Sequence, residues 1–555
     1  MPKAFKTLFQ EHYSVDSYGA YVLPKELILQ ALQILFEKDN YTFLVDITAV
    51  DYLHQKNHPE RFAVIYLLRD HTFQNLITLK TYIDSSLATQ SITALFKSAN
   101  WAEREIWDQY GIHFKNHPNL KRILNHKEFV GHPLRKDYPI TQGQLCHKSD
   151  DLMDEMNPRL KTKGYTSQEE LMFLNLGPAH PASHGTIRTF VALDGENITC
   201  AVSEIGYLHR GFEKSCENHT YNQIIPYTDR LNYCSAILNN IGFAHAVEGI
   251  LGVDLPERAK FIRVIIGELS RIIDHLVCLA AILVDMGALT NYWYLYNPRE
   301  KVYDLLSKLT GARLTNSYMR IGGMSHDLYD GFEDDLKACL KEIEQGVGEA
   351  LKLIEHNRIF HDRTQNVGII TKEDAINRGL SGPNLRASGV PYDLRVTAPY
   401  YHYETFDFDI ALGSVGDVYD RMMVRFEEIR QSTRIIHQAM QRLPQGAICV
   451  ENHAISLPPK KEVYGNIEGL MNQFKLIYEG VKVPSSEYYR AIEGANGELG
   501  FFIISDGSGT PYKVKVRPPC FYAMAAYPRL IEGSMIADAV LTLGSLNIIA
   551  GELDR

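Results

Sequence analysis

The sequence predicts an α+β protein in two folded parts: a small N-terminal α+β domain over 1–140, a linker over 141–170, and a large domain over 171–555 with β-strands at its N- and C-terminal ends around a helical bundle. Three observations carry this. Short apolar runs rich in Val, Ile, Phe and Tyr alternate with single amphipathic patterns before residue 140. A polar stretch without periodicity follows. Beyond it, four long segments repeat apolar residues at helical spacing, with strand patterns before and after them.

In the first part, PKELILQALQILFEK (24–38) has one apolar helical face, and YTFLVDITAVDY, RFAVIYLLRD and NLITLKTYID are strands. ITALFKSANWAEREIWDQYG is helical and stops at Gly111. The strings TQGQLCHKSDDLMDEMNPRLKTKGYTSQEE, 141–170, form the linker. LMFLNLG and TIRTFVALDG pair as strands around a Gly/Pro-rich turn. Helices are predicted over DRLNYCSAILNNIGFAHAVEGIL, PERAKFIRVIIGELSRIIDHLVCLAAILVDMGAL, DLKACLKEIEQGVGEALKLIEHNRIF and GDVYDRMMVRFEEIRQSTRIIHQAMQRL, enough for a bundle core. EYYRAIEGANGELGFFIISDGSGTPYKVKVRPP returns to strands and turns.

Composition narrows the function. A net charge of −10, with no Lys/Arg-rich block, argues against a nucleic-acid surface. The longest apolar run, LVCLAAILVDMGAL, is too short to span a bilayer and contains Asp285. The N-terminus has no apolar signal core, so the chain is expected to be cytosolic or peripheral. None of the eight cysteines forms CxxC, so no zinc or iron–sulfur site is written here, and neither GxGxxG nor GxxxxGK[ST] occurs. No metal and no cofactor bound by this chain alone is expected.

The chemistry-bearing residues sit at three places. HPASH puts His180 and His184 on the turn between two strands; Pro181 and Gly185 favour a loop over a metal-binding helix, and two loop histidines held by the backbone are an equal reading. Tyr233, in IPYTDRLNY, begins a helical pattern, and such a tyrosine alone is more often a core or interface residue than a catalytic one. Asp285 lies among Ile, Leu, Val and Met, where an unpaired carboxylate would cost several kcal/mol. Its natural partner is a histidine, and a His184–Asp285 pair would favour the protonated, donating imidazole. Imidazoles on a tight loop and a phenol on a rigid element can grip a small polar headgroup and hand it protons. IGYLHRGFEK and WAEREIWDQYGIHFKNHPNLKRIL are dense in charge, which alone reads as a solvated face.

Taken together, EREIWDQYGI, HPNLKRIL and GHPLRKDYP resemble the 30-kDa (C-type) family of the proton-pumping NADH:quinone oxidoreductase, respiratory complex I. LNLGPAHPASHGTIR, IGYLHRGFEK, IPYTDRLNY, SGPNLRASGVPYDLR, PYYHYETFDFDIALGSVGDVYDR, ISDGSGTPYKVKVRPP and IAGELDR resemble its 49-kDa (D-type) family, so the whole looks like a fused C/D-type chain of that complex. The resemblance implies that His184 and Tyr233 hold the ubiquinone or menaquinone headgroup with His180 in the same loop, that Asp285 pairs with His184, and that Arg210 lies near an iron–sulfur cluster carried by a partner subunit. It implies B- and I-type peripheral-arm partners, an indirect link to the E, F and G module, a membrane-arm subunit at the quinone site, and a peripheral place on the cytoplasmic side of the bacterial inner membrane. A related quinone-reducing or hydrogenase-like complex with another donor, or a non-catalytic scaffold, are the alternatives.

The 49-kDa family is also similar to the large subunit of nickel–iron hydrogenases, whose two CxxC pairs hold the metals. At those places this chain has Asn232, Ser235, Ile549 and Glu552, with Cys234 out of step. Without thiolates a nickel site is excluded.

Overall fold

The computed structural model describes residues 2–55, 58–146, 151–165 and 171–555. In the N-terminal domain five strands form one sheet in the order Ser14–Val15, Tyr21–Leu23, Leu76–Ile83, Phe62–Arg69, Phe43–Asp51. The pairing is antiparallel except between Tyr21–Leu23 and Leu76–Ile83. Strands Phe43–Asp51 and Phe62–Arg69 are buried along their whole length because both faces are covered. One face, with Leu44, Ile47, Ala49, Val64, Tyr66 and Leu68, packs under the helix Ile28–Glu37. The other, with Phe43, Val45, Ile65 and Leu67, joins a core that contains Tyr392, Phe502 and Phe521 of the large domain. A bulge between Leu44 and Asp46 separates the two alternations.

The two domains are therefore interlocked. Phe73 stacks on Tyr392 at 4.3 Å, Trp101 meets Phe521 edge-on at 5.4 Å, and Tyr522 donates to Asp46 at 2.8 Å. Helix Ala99–Tyr110, ended by Gly111 at φ 76°, is buried on nearly every side. The charges of EREIWDQYG are thus not a solvated face. Asp108 accepts the backbone N–H groups of Ile123, Leu124 and Asn125 and pairs with Arg122 at 2.6 Å, fixing the HPNLKRIL turn. Glu105 pairs with Lys515 at 2.5 Å and also with Arg555. Burial pushes the Glu105 carboxyl up, but Arg555 and Lys515 outweigh it and hold the group at about 2. Glu105→Gln is expected to destabilise this seam by about 2–3 kcal/mol, the scale of a lost charged hydrogen bond. Limited proteolysis should then cut between the domains faster than in wild type.

Part of the predicted linker is structured, which corrects its reading as aperiodic. Residues Met153–Thr162 form a helix, and Leu152, Met156 and Leu160, four residues apart, pack on Phe190, Ala192, Cys200 and Val202. Four-residue spacing in a largely charged stretch is a thin apolar stripe, easily hidden among Lys, Asp and Glu. Residues 147–150 and 166–170 of the predicted linker lie outside the described residues.

In the large domain the predicted pair, Met172–Leu176 and Arg188–Asp194, is extended by a third strand, Asn197–Glu204. The C-terminal meander is Ser486–Gly494, Gly497–Ser505 and Lys513–Arg517. The predicted bundle helices appear as Ala236–Leu251, Glu257–Asp285, Phe332–Ile354 and Val418–Gln441, and a further helix, Leu289–Thr310, was not predicted. Its first turns, TNYWYLYNP, are aromatic and contain Pro298, so no clear apolar period marks them. Helix Glu257–Asp285 is the axis of the domain: it packs against Val418–Gln441, Leu289–Thr310, Ala236–Leu251 and Ile536–Leu546. No described helix is long and apolar enough to cross a membrane.

That axis carries Arg263, Glu268, Arg271, Asp274 and His275, all within 1 % of complete burial. Each has a partner: Arg263 binds Glu248 at 2.8 Å, Glu268 lies between Arg271 and Arg395 at 3.1 and 3.2 Å, and His275 meets Glu428 at 2.8 Å. Four of these groups are stabilised by a charged partner; Asp274 instead accepts from two amides, Asn232 and Asn547.

Candidate functional site

The histidine turn is built on a close approach at Gly177. Its φ is +90°, and a Cβ there would lie 1.9 Å from the Ile187 carbonyl oxygen, so only glycine closes the base of the turn. Inside it, Pro181–Ser183 make one 3₁₀ turn; His180 Nδ1 accepts from Ala182 N at 3.1 Å, and Ser183 Oγ donates to His180 O and Gly185 O at 2.6 Å. His180 is exposed. His184, in the left-handed region at φ 52°, reaches the end of the axial helix, where Nε2 lies 2.7 Å from Asp285 Oδ2. The oxygen lies off the ring N–H axis, so this close contact leaves Nε2 without an in-line hydrogen bond.

Asp285 is not buried in the middle of an apolar helix, as its neighbours suggested. It is the last helical residue, with its side chain 20 % exposed. The helix breaks there because Met286 and Gly287 turn the chain toward Leu289–Thr310. A carboxylate in the last turn opposes the helix dipole by roughly 0.3–1 kcal/mol. The contact with His184 offsets that.

Tyr233 also departs from its expected place. It lies in the turn between helices Tyr221–Thr228 and Ala236–Leu251, three residues before the second begins. Asn232 decides this: its Oδ1 accepts Cys234 N at 3.1 Å, its carbonyl accepts Asn239 Nδ2 at 2.9 Å, and its own Nδ2 donates to Asp274 at 2.7 Å. Burial first, then the nearby Cys234, Cys520 and Asp274, push the Tyr233 phenol up to about 12, so it stays protonated at neutral pH.

No hydrogen bond or ring contact joins His184 to Tyr233, but both lean on one C-terminal segment. A Cβ on Gly544 would come within 3.4 Å of His184 Nε2, and one on Gly551 within 3.3 Å of Tyr233 Cδ1; Gly185 faces Ala550. Past Asp285, Leu289 and Trp293 at the start of the next helix are 59 % and 56 % exposed. An apolar groove of about 610 Å³ between Phe332–Ile354 and Val418–Gln441 involves none of these residues.

Arg210 is exposed and donates to Arg230 O at 3.3 Å, on the approach to the Tyr233 turn. The IGYLHRGFEK loop is tied to the end of the chain: Asp554 accepts Gly206 N and Leu208 N at 2.9 and 2.8 Å, and His209 Nδ1 contacts Asp554 O at 2.7 Å. Its charges too serve the fold.

At the four hydrogenase ligand places the side chains make hydrogen bonds or pack. Beyond Asn232, Glu552 accepts Cys520 N at 3.2 Å, Ile549 N donates to Cys520 Sγ at 3.4 Å, and Ser235 is buried. Among the described residues no group of three or more His, Cys, Asp or Glu is placed to hold a metal ion. Burial raises the Glu552 carboxyl from its ordinary 4.5 to about 7. A raised carboxyl binds its proton more tightly folded than unfolded, so it costs stability as pH climbs from 4.5 to 7, and no more above. Wild type should therefore lose stability relative to Glu552→Gln by roughly 1.4 kcal/mol per pH unit across that window. Urea unfolding of both proteins at several pH values checks it; parallel curves would refute the assignment.

Sequence reasoning missed Asp274, Asn547 and Cys520. Asp274 had the same signal as Asp285, an acid between Ile273 and His275 in an apolar helix, and it is the one that is truly buried.

Residues 285–555 match the family described as the respiratory-chain NADH dehydrogenase 49 Kd subunit, and residues 21–144 the 30 Kd subunit. The chain is similar to the C/D-type NADH-quinone oxidoreductase chain of Bdellovibrio bacteriovorus, 48 % identical over 96 % of this chain and 94 % of that protein. It is 39 % identical to the C/D-type chain numbered 2 of the same enzyme in Aquifex aeolicus, over 98 % and 97 % of the two chains. The D-type chain of Myxococcus xanthus matches at 49 % over 73 % of this chain and all of its own length.

Proposed function

The chain belongs to the NADH-quinone oxidoreductase family in which the 30-kDa and 49-kDa subunits are joined, and on that premise we propose that His184, Tyr233 and Asp285 form the quinone headgroup site of the assembled enzyme. The observation that carries this reading is the 2.7 Å approach of His184 to Asp285, on the segment that also backs Tyr233.

Reduction of a quinone to a quinol takes two electrons and two protons. An iron–sulfur cluster held by a partner subunit would supply the electrons, and Arg210 would be the residue of this chain near it. Charge developing on the two quinone oxygens in a site of low dielectric is costly, so proton donors must already be in place. Tyr233, kept protonated, donates to one oxygen; His184 donates to the other, held by Asp285, and His180 borders the headgroup on the same turn. When His184 gives up its proton, Asp285 loses its counter-charge, a local electrostatic change that the rest of the complex can sense. The exposed Leu289 and Trp293 fit this picture: a membrane-arm subunit would cover them and complete an apolar wall for the quinone tail.

In this reading residues 1–140 are the 30-kDa unit, 141–170 the joint and 171–555 the 49-kDa unit, an assignment supported by the D-type relative that matches 73 % of the chain. The protein sits peripherally, on the cytoplasmic side of the membrane, against B- and I-type subunits and, through them, the NADH-oxidising module. The test is His184→Ala in the assembled complex. NADH:quinone activity should fall about 100-fold or more, the range of a lost acid–base group, while NADH oxidation by an artificial acceptor upstream is kept. Unchanged quinone activity would favour a scaffold role instead.

A further inference from the structure

Behind Tyr233 lies a polar knot that the proposed proton donors do not account for. Asp274 is 1 % exposed, in the middle of the axial helix. Its Oδ2 accepts Asn232 Nδ2 at 2.7 Å and its Oδ1 accepts Asn547 Nδ2 at 2.6 Å. Asn547, left-handed at φ 55°, ends helix Ile536–Leu546 and also donates to Asn496 at 2.6 Å. One carboxylate thus joins three elements: the turn that carries Tyr233, the helix that ends in Asp285, and the segment on which His184 and Tyr233 both rest.

We infer that Asp274 is a positioning residue for the quinone site, clamping the Tyr233 turn and the 544–551 segment through Asn232 and Asn547; the inference rests on the function proposed above. The donor–acceptor logic leaves little freedom. Both amides donate, so position 274 must accept on both sides, which a carboxylate does and a carboxamide does not. With Asn at 274 one NH₂ would face another unless Asn232 or Asn547 turned over. Turning Asn232 breaks its bond from Cys234 N, next to Tyr233 itself; turning Asn547 breaks its bond to Asn496. The phenol would then lose its fixed distance from the headgroup, and an ångström of misplacement is expensive in proton transfer.

The test is a double-mutant cycle on the assembled complex in native membranes, read as NADH:quinone kcat and KM with artificial-acceptor activity as the measure of intact assembly. Asp274→Asn should lower kcat tenfold or more. In a Tyr233→Phe background the same substitution should cost less than twofold, because its effect runs through the phenol. The exchange Asp274→Asn with Asn547→Asp, which keeps the charge and allows each donor an acceptor once Asn496 turns its amide, should assemble and regain most of the activity. Equal losses in both backgrounds, no loss in the single variant, or no recovery in the exchange would overturn the clamp while leaving the site reading intact. A Tyr233→Phe variant of full activity would overturn the site reading itself.

Discussion

Tyr233→Phe should lower quinone reduction by about two orders of magnitude or more, the range found when a positioned proton donor is removed. The substitution deletes one oxygen and keeps the ring, so packing against Gly551 survives. The phenol is partly buried and pushed up to about 12, first by burial and then by Cys234, Cys520 and Asp274, so it is a full donor at neutral pH. The loss should fall on kcat more than on KM, since proton donation matters most as charge develops on the quinone. Steady-state kinetics with a short-chain quinone, alongside upstream artificial-acceptor activity, measure this. A variant that reduces quinone at the wild-type rate would remove Tyr233 from the chemistry.

The largest expected stability effect is at Arg386, which is fully buried. Its guanidinium donates to Glu428 at 2.8 and 3.0 Å and to Glu493 and the Tyr392 carbonyl at 2.8 Å. Arg386→Met preserves bulk and leaves two buried carboxylates short of a counter-charge, for a cost of about 3–5 kcal/mol. Arg386→Lys keeps the charge but not the fork and should fall between. Urea midpoints of the purified chains would rank the three; equal midpoints for wild type and Arg386→Met would mean the network is neutral in stability. The ranking also bears on assembly, because Glu428 holds His275, the residue after Asp274 on the axial helix.

Much of this was legible without coordinates. The apolar runs FLVDITAVD and FAVIYLLR, the 3.6-residue repeats from 257 to 285 and from 418 to 441, and the Gly/Pro turn of HPASH depend on near neighbours in the chain, which sequence preserves. The short motifs could be recognised too, though not explained: SGPNLRASGVPYDLR is a distinct string because Arg386, Asp393 and Arg395 all enter one buried ionic core.

By itself the sequence determined the fold class, the helical and strand faces and the absence of thiolate pairs, and it singled out His184, Tyr233 and Asp285 as the residues proposed for the site. Only the tertiary structure decided which acid is buried and which sits at a helix end, that Tyr233 occupies a turn, and that residues 544–551 back both His184 and Tyr233. The reason is that periodicity tells which face of an element is apolar, but not what packs on it or where it stops. Asp274 and Asp285 look alike in the chain, and differ because the 232 turn and the 547 turn close over one and leave the other at the edge.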